Sequence, residues 1–251
     1  MSRKGMSMKR VILKLSGEAL GHESRAGICP EKVNKIALEI KQLYDQNDVQ
    51  IAIVVGAGNI WRGKDAESAG MERSSADYMG MIATILNALA LQSAIEKLGI
   101  ETRTMTSLEI PAVAEPYIRR KASAHLDKNR LVIFGGGNGI PFFTTDTTAA
   151  LRSAELGAEL ILMAKNGVDG VYDSDPRIKK DAKKYNVLTH QELLDKHLNV
   201  MDLTAATLCS ENDIDILVFD MNVPGNFARA VHDYSIGTLI TNKKKKEKYN
   251  A

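Results

Sequence analysis

Cysteine is nearly absent: Cys29 and Cys209 are the only two in 251 residues. Neither stands in a Cys-x-x-Cys or cysteine–histidine spacing, so neither a disulfide framework nor a zinc site is expected. Both read as buried thiols of a reducing compartment. Aromatic residues are scarce at 5%, with one tryptophan, and no basic face carries interleaved aromatics, which argues against a nucleic-acid partner. Met1 to Arg10 brings basic residues but no apolar signal core, so the expected location is cytoplasmic. Neither positive nor negative residues are in large excess, at 33 lysines and arginines against 31 aspartates and glutamates. The formal net charge is +2, but Lys243 to Lys248 (KKKKEK) holds five lysines and one glutamate, leaving −2 for the rest. That run reads as a disordered, solvated tail over 243–251, with one domain over 1–242. The one long uncharged stretch, Tyr78 to Ile95, has the length of a membrane span. Gly80, Thr84, Asn87, Gln92 and Ser93 interrupt it, and Asp77 and Glu96 bracket it. A long helix buried on most sides fits better, no membrane contact is expected, and such a helix suggests a subunit interface.

Two familiar phosphate motifs are also missing. No GxxxxGK[ST] occurs, and neither glycine-rich loop has GxGxxG spacing. What the chain does have is centred on Leu131 to Ala150, LVIFGGGNGIPFFTTDTTAA. An apolar run, a glycine loop and a hydroxyl- and carboxylate-rich start to an alanine-rich segment read as strand, loop and helix N-terminus, a place that holds an anion. Ile51 to Val55 is a second buried strand, running into Gly56, Ala57, Gly58, Asn59 and Arg62. Lys9 to Leu15 is a third, ending in Ser16 and Gly17 with Lys14 beside the turn, and a helix follows from Pro30. Leu160 to Met163 is a fourth and leads to Lys165 and Asn166. Glu101 to Thr106 alternates as an edge strand would, Pro111 and Pro116 mark a turn and a helix start, and Val168 to Pro176 reads as loops. Ile214 to Phe219 and Thr238 to Ile240 are the remaining strands, separated by a helix near Phe227 to His232. Strands ending in glycine loops before helices put Lys14, Arg62, Lys165 and Asp146 at the carboxyl edge of an open α/β sheet, where such folds bind ligands. There is room and charge for two phosphorylated ligands.

Five collinear stretches, KLSGEAL (Lys14 to Leu20), VVGAGNIWRG (Val54 to Gly63), PFFTTDTTAALR (Pro141 to Arg152), VDGVYDSDP (Val168 to Pro176) and VMDLTAATL (Val200 to Leu208), resemble the bacterial uridylate kinases (UMP kinases) of the amino-acid-kinase superfamily. The resemblance spans roughly Lys9 to Thr241. It implies an α/β fold, an amino-acid-kinase-like open, mainly parallel sheet sandwiched between helices, with an acceptor-side lobe over about 1–150 and a donor-side lobe over about 151–242. It further implies transfer of the ATP γ-phosphoryl group to UMP, giving UDP and ADP for pyrimidine biosynthesis. Mg²⁺ would arrive with ATP and take no ligand from protein side chains. A homohexamer is implied, with UTP as an inhibitor. Activation by GTP is left open, because Gly21 to Gly27 lacks the glycine and aromatic pattern of GTP-activated members.

Carried over by position, Lys14, Leu15, Ser16 and Gly17 with Gly58 and Arg62 resemble the donor-phosphate lining, and Asn166, Tyr172 and Asp175 the adenosine side. Ala57, Asp77 and the segment Asn138, Gly139, Ile140, Pro141, Phe142, Phe143, Thr144 and Thr145 resemble the UMP site, Asp77 through the ribose hydroxyls. Lys14, Arg62, Asp146 and Lys165 are the implied catalytic set, with Asp146 orienting Lys14. Two positions depart from the family's pattern. Ala57 replaces a glycine, so a backbone contact there needs a negative φ, and Ile140 removes a side chain that could pair with uracil. The chemistry agrees with the resemblance: a nucleoside monophosphate is largely dianionic near neutrality, needs no general base, and needs opposite charge where charge develops. Two rival readings are an amino-acid-kinase enzyme with another acceptor and a nucleotide sensor or storage protein on the same fold. Asp77 with PFFTTD weighs against the first, and retention of Lys14 and Asp146 against the second.

Overall fold

The computed structural model describes residues 8–23, 26–46, 48–63, 70–176, 178–179, 181–198 and 200–242, so the lysine run at 243–248 lies outside the described residues. Eleven strands and seven helices occur among them. The strands are β1 (Lys9–Leu15), β2 (Val49–Val55), β3 (Thr102–Thr106), β4 (Glu115–Pro116), β5 (Leu131–Gly135), β6 (Leu160–Lys165), β7 (Val171–Tyr172), β8 (Lys184–Tyr185), β9 (Val187–Thr189), β10 (Asp215–Asp220) and β11 (Gly237–Thr241). The helices are α1 (Pro30–Asp45), α2 (Arg73–Glu96), α3 (Arg119–Asp127), α4 (Thr145–Leu156), α5 (His190–Asp195), α6 (Leu203–Glu211) and α7 (Asn226–Arg229).

Nine strands form one open sheet in the order β4-β3-β5-β2-β1-β6-β10-β11-β9, and β7 pairs with β8 in a separate ribbon. Every neighbouring pair in the large sheet is parallel except β10 with β11. Parallel strands need crossover helices and so are covered on both faces, which is why β1, β2, β5, β6 and β10 read as apolar runs.

Alternation along β1 sorts the two cores. Val11, Leu13 and Leu15 face a cluster that includes Val33, Ile36 and Ile40 of α1 and Ala88, Leu91 and Ile95 of α2. Ile12 faces the opposite cluster, with Leu126 of α3, Ala149 and Ala150 of α4, and Ala205 and Cys209 of α6. Each fully buried leucine or isoleucine contributes about 1.5–3 kcal/mol relative to exposure. The central strands are therefore a stiff platform for the loops at their carboxyl ends.

Two expectations at the far edge are corrected. Residues 102–106 are not an edge strand, because β4 pairs outside β3 through Met105 opposite Glu115 and Thr106 opposite Pro116. Pro116 opens no helix: it sits in the short edge strand, where the missing N–H costs no ladder bond, and α3 begins at Arg119. Helix α2, among the described residues, is long and apolar enough to cross a membrane by length and composition. Ten of its residues, from Ala76 to Ile95, are nevertheless buried, packed mainly against the sheet and α1.

Candidate active site

The pleat decides where the two lysines point. Lys14 lies on the Ile12 face of β1, and Lys165 shares the Ile161 and Met163 face of β6, so both ammonium groups emerge at the carboxyl edge on the side covered by α4. Lys14 Nζ meets Asp146 Oδ1 at 2.6 Å, with side-chain exposures of 12% and 15%. Lys165 Nζ donates to the Val200 carbonyl at 2.7 Å. Burial lowers the Lys165 pKa below the ordinary value of 10.5, the nearby Asp146 charge opposes that shift, and the Lys14 charge adds to it.

Asp146 is held by the way α4 begins. Thr144 is the N-cap, its hydroxyl accepting from the Asp146 and Thr147 amides at 3.1 and 3.3 Å. Asp202 braces the same turn: it accepts from the Thr144 hydroxyl, and from the Thr147 hydroxyl at 2.9 Å. Its other oxygen accepts from the Ala205 amide at 2.9 Å, which makes Asp202 the N-cap of α6. Two helix N-termini are thus tied together beside the lysines, adding partial positive charge to the site. Behind them Cys209 is fully buried, and burial first, then the Asp146 and Asp202 charges, push its thiol up to about 12.

The first two glycine loops touch. A Cβ on Gly17 would lie 2.6 Å from the Gly58 nitrogen and 2.7 Å from that of Ala57, so only glycine admits this approach. Ala57 is absent from the positive-φ residues, so its backbone meets the condition that replacing glycine imposed. Arg62 reaches over this junction, with Nη2 donating to Glu18 at 2.8 Å and Nε to the Gly58 carbonyl at 3.3 Å. Glu18, Lys32, Gly58, Asn59, Arg62 and Asn166 border a cavity of about 600 Å³. The third glycine loop turns through positive φ at Gly136, Gly137 and Gly139, with the Gly139 amide donating to the Gly136 carbonyl at 2.9 Å.

A second cavity, about 320 Å³, lies between α2 and that loop. Its walls include Ala57, Asp77, Ile140, Phe143, Thr144 and Thr145, six of the ten residues assigned to the acceptor. Asn138, Gly139, Pro141 and Phe142 are not on its walls. Asn138 Oδ1 is buried without a hydrogen-bond partner among the described residues. Phe142 has φ +72 and donates its amide to Asp77 Oδ2 at 2.8 Å. Asp77 also accepts from Arg73 Nε at 3.0 Å. A third cavity, about 450 Å³, is bordered by Lys165, Tyr172, Asp175, His197 and Val200. The adenosine-side residues are therefore divided: Tyr172 and Asp175 border this cavity, and Asn166 borders the one beneath Arg62. The Tyr172 hydroxyl donates to Asp169 at 2.6 Å, and that hydrogen bond is the main reason its pKa is raised to about 12.

Sequence reasoning passed over Arg73, Asp202, Asn59 and Asn87. An arginine four residues before Asp77 on a helix, and an aspartate before an apolar helical run, are readable signals for the first two. The asparagines give no such signal: Asn87 reads as an interruption of the apolar run and Asn59 as one more residue of the glycine loop.

The sequence profile described as the amino acid kinase family matches residues 9–220. The uridylate kinase of Pediococcus pentosaceus is 56% identical over 232 residues, covering 92% of this chain and 96% of that protein. The uridylate kinase of Limosilactobacillus reuteri is 55% identical over the same shares. The crystal structure of UMP kinase from Bacillus anthracis superposes with a TM-score of 0.91 at 41% identity, covering 94% of this chain and 96% of that one. UMP kinase from Ureaplasma parvum gives 0.89 at 38% identity, covering 94% and 100%. With this sheet order, the lysine–aspartate pair at its carboxyl edge and these relatives, the chain belongs to the amino acid kinase family and, within it, to the uridylate kinases.

Proposed function

We propose that this chain transfers the γ-phosphoryl group of ATP to UMP, the pair Lys14 and Asp146 marking where the group passes. The observation that carries the reading is that 2.6 Å contact, one residue from Thr145 on the wall of the α2 cavity. Lys165 stands on the other side and borders the Tyr172 cavity. UMP fits the α2 cavity and the adenosine of ATP the Tyr172 cavity, with the phosphates between them. In this reading residues 1–150 form the acceptor side and 151–242 the donor side.

The UMP phosphate oxygen is already an anion near neutral pH, so attack removes no proton from a hydroxyl. What the site supplies is countercharge: Lys14 and Lys165 at the transferred group, Arg62 and the Gly17 and Gly58 amides along the donor phosphates, and the α4 N-terminus. Asp146 holds Lys14 in one direction and offsets part of the repulsion between the two lysines. Mg²⁺ would add further charge neutralisation when ATP brings it, held by the nucleotide and not by protein side chains. The carboxylates present fit that arrangement, since Asp146 is paired with Lys14 and Asp202 is occupied by Thr144, Thr147 and Ala205. Tyr78, Met79, Ile82 and Leu86 leave an apolar stripe exposed on α2, which supports self-association, as a hexamer by resemblance. A cytoplasmic place in pyrimidine biosynthesis and inhibition by UTP belong to the same reading, which leaves activation by GTP open.

A coupled assay of ADP release with each nucleoside monophosphate tests it, and UMP is expected to be the best acceptor. Asp77 is the group that senses the ribose 2′-hydroxyl, and losing that partner costs about 1–3 kcal/mol, so dUMP should turn over roughly ten- to a hundredfold less efficiently. Equal turnover of UMP and dUMP removes Asp77 from that role, and a preference for AMP overturns the assignment.

A further inference from the structure

Behind the glycine loops two asparagine side chains are buried face to face, Asn87 on α2 at 0% exposure and Asn59 after the second loop at 8%. Asn87 Nδ2 donates to Asn59 Oδ1 at 2.7 Å, and Asn59 Nδ2 donates back to Asn87 Oδ1 at 3.0 Å. The second hydrogen of each amide is also used, by Asn87 on the Gly56 carbonyl at 2.8 Å and by Asn59 on the Gly27 carbonyl at 3.1 Å. The Gly27 amide returns to the Asn59 carbonyl at 2.7 Å. All four amide hydrogens of the pair therefore end on protein acceptors. A buried amide that loses its partner costs about 1–3 kcal/mol, so a fully satisfied pair of this kind admits one arrangement and penalises the others.

That arrangement fixes the backbone between Gly56 and Asn59, the segment whose Ala57 and Gly58 nitrogens press on Gly17. A Cβ on Gly21 would lie 2.5 Å from the Asn59 Cβ, so the first turn is packed on the same side chain. The anchor at the other end is α2, which carries Asp77 on the wall of the second cavity. We infer that Asn59 and Asn87 are positioning residues for phosphoryl transfer: their amide pair sets the Gly56–Gly58 loop against the Gly17 turn and ties both to the helix that forms the acceptor wall. The inference rests on the proposal that these loops hold the donor phosphates. Both side chains spend their amide hydrogens on protein acceptors, so they act through the loops they hold. A loop displaced by a fraction of an ångström would still bind nucleotide but would aim its amides wrongly, and misplacement on the order of 1 Å can cost about a hundredfold.

The test is steady-state kinetics of Asn59→Ala, Asn87→Ala and the double variant, with ATP and UMP varied in turn below the melting temperature of each variant, and Lys14→Ala alongside. In each single variant kcat should fall about ten- to a hundredfold and KM for ATP should rise. The double variant should be no worse than the more severe single one, because both remove the same pair. If kcat and KM for ATP stay within about twofold of the parent while only the melting temperature falls, or if the two effects multiply as independent sites do, the inference is overturned. Where Asn87→Ala does not fold, Asn59→Ala removes the pair from the loop side and decides on the same criteria. A crippled Lys14→Ala beside normal asparagine variants overturns this inference alone, whereas a normal Lys14→Ala overturns the phosphate-site reading beneath it.

Discussion

At the site, each charged group is defined by what it is paired with. Lys14→Ala removes a positioned cation, which typically costs on the order of 10² to 10³ in rate, so kcat should fall far more than nucleotide binding weakens, as measured by turnover against equilibrium titration. Near-normal turnover would discard the assignment. Asp146→Asn keeps the shape and frees Lys14 to wander, so the rate should drop at every pH; activity that recovers at high pH would contradict the absence of a base. Lys165 supplies a pH dependence of its own. Its pKa is lowered by burial, so the unfolded chain holds that proton more tightly, and its charge penalises the folded state below the folded pKa. That penalty is relieved as pH rises toward the ordinary 10.5, while the useful cation is lost over the same window. The alkaline limb of kcat/KM, which follows the free enzyme, should therefore begin below 10.5, and Lys165→Arg, which stays charged, should move the limb upward even if its rate is lower. A limb unmoved by that change would assign the titration elsewhere.

Elements were legible in the sequence where the local pattern and the tertiary role agree. Lys9–Leu15, Pro30–Asp45 and the start of α4 could be read because an apolar strand, a proline at a first turn and a threonine cap are local signals. Strands β4, β7, β8 and β9 span two or three residues and are defined only by what they pair with, which a local pattern does not carry. The candidate site divides in the same way. Lys14, Arg62 and Asp146 stand in glycine or capping contexts, whereas Asn87 is a polar residue in an apolar helix whose partner is 28 positions away. Helix α2 is apolar on more faces than one sheet can cover, and the residue-by-residue burial explains why: Ala88, Leu91 and Ile95 are on the sheet while Ile82 and Leu86 remain about half exposed. Ile82→Glu with Leu86→Glu should convert a larger species into particles near 27.5 kDa in light scattering at micromolar concentration. A parent chain that already runs at 27.5 kDa would contradict self-association through this face.

Across the whole molecule, one sheet with a core on each side makes the buried thiols reporters of global opening. Cys209 is fully buried with its pKa pushed up to about 12, so it carries almost no thiolate at pH 8 and a thiol reagent should label it only at the rate of unfolding. Rapid labelling of Cys209 in the folded protein would mean that α6 opens locally. The sheet order also has a temporal side. Strand β1 precedes the other described strands, yet it ends in the middle, hydrogen-bonded to β2 on one side and to β6, nearly 150 positions later, on the other. Until Leu160–Lys165 leaves the ribosome, a nascent chain that has assembled β1, β2, β5 and β3 presents Val11 to Leu15 as an open edge, and an uncovered apolar edge invites pairing with other chains. Lys14, the group that later faces the phosphates, is then the one charge interrupting that apolar edge, guarding the half-made protein against aggregation before it has a substrate to hold.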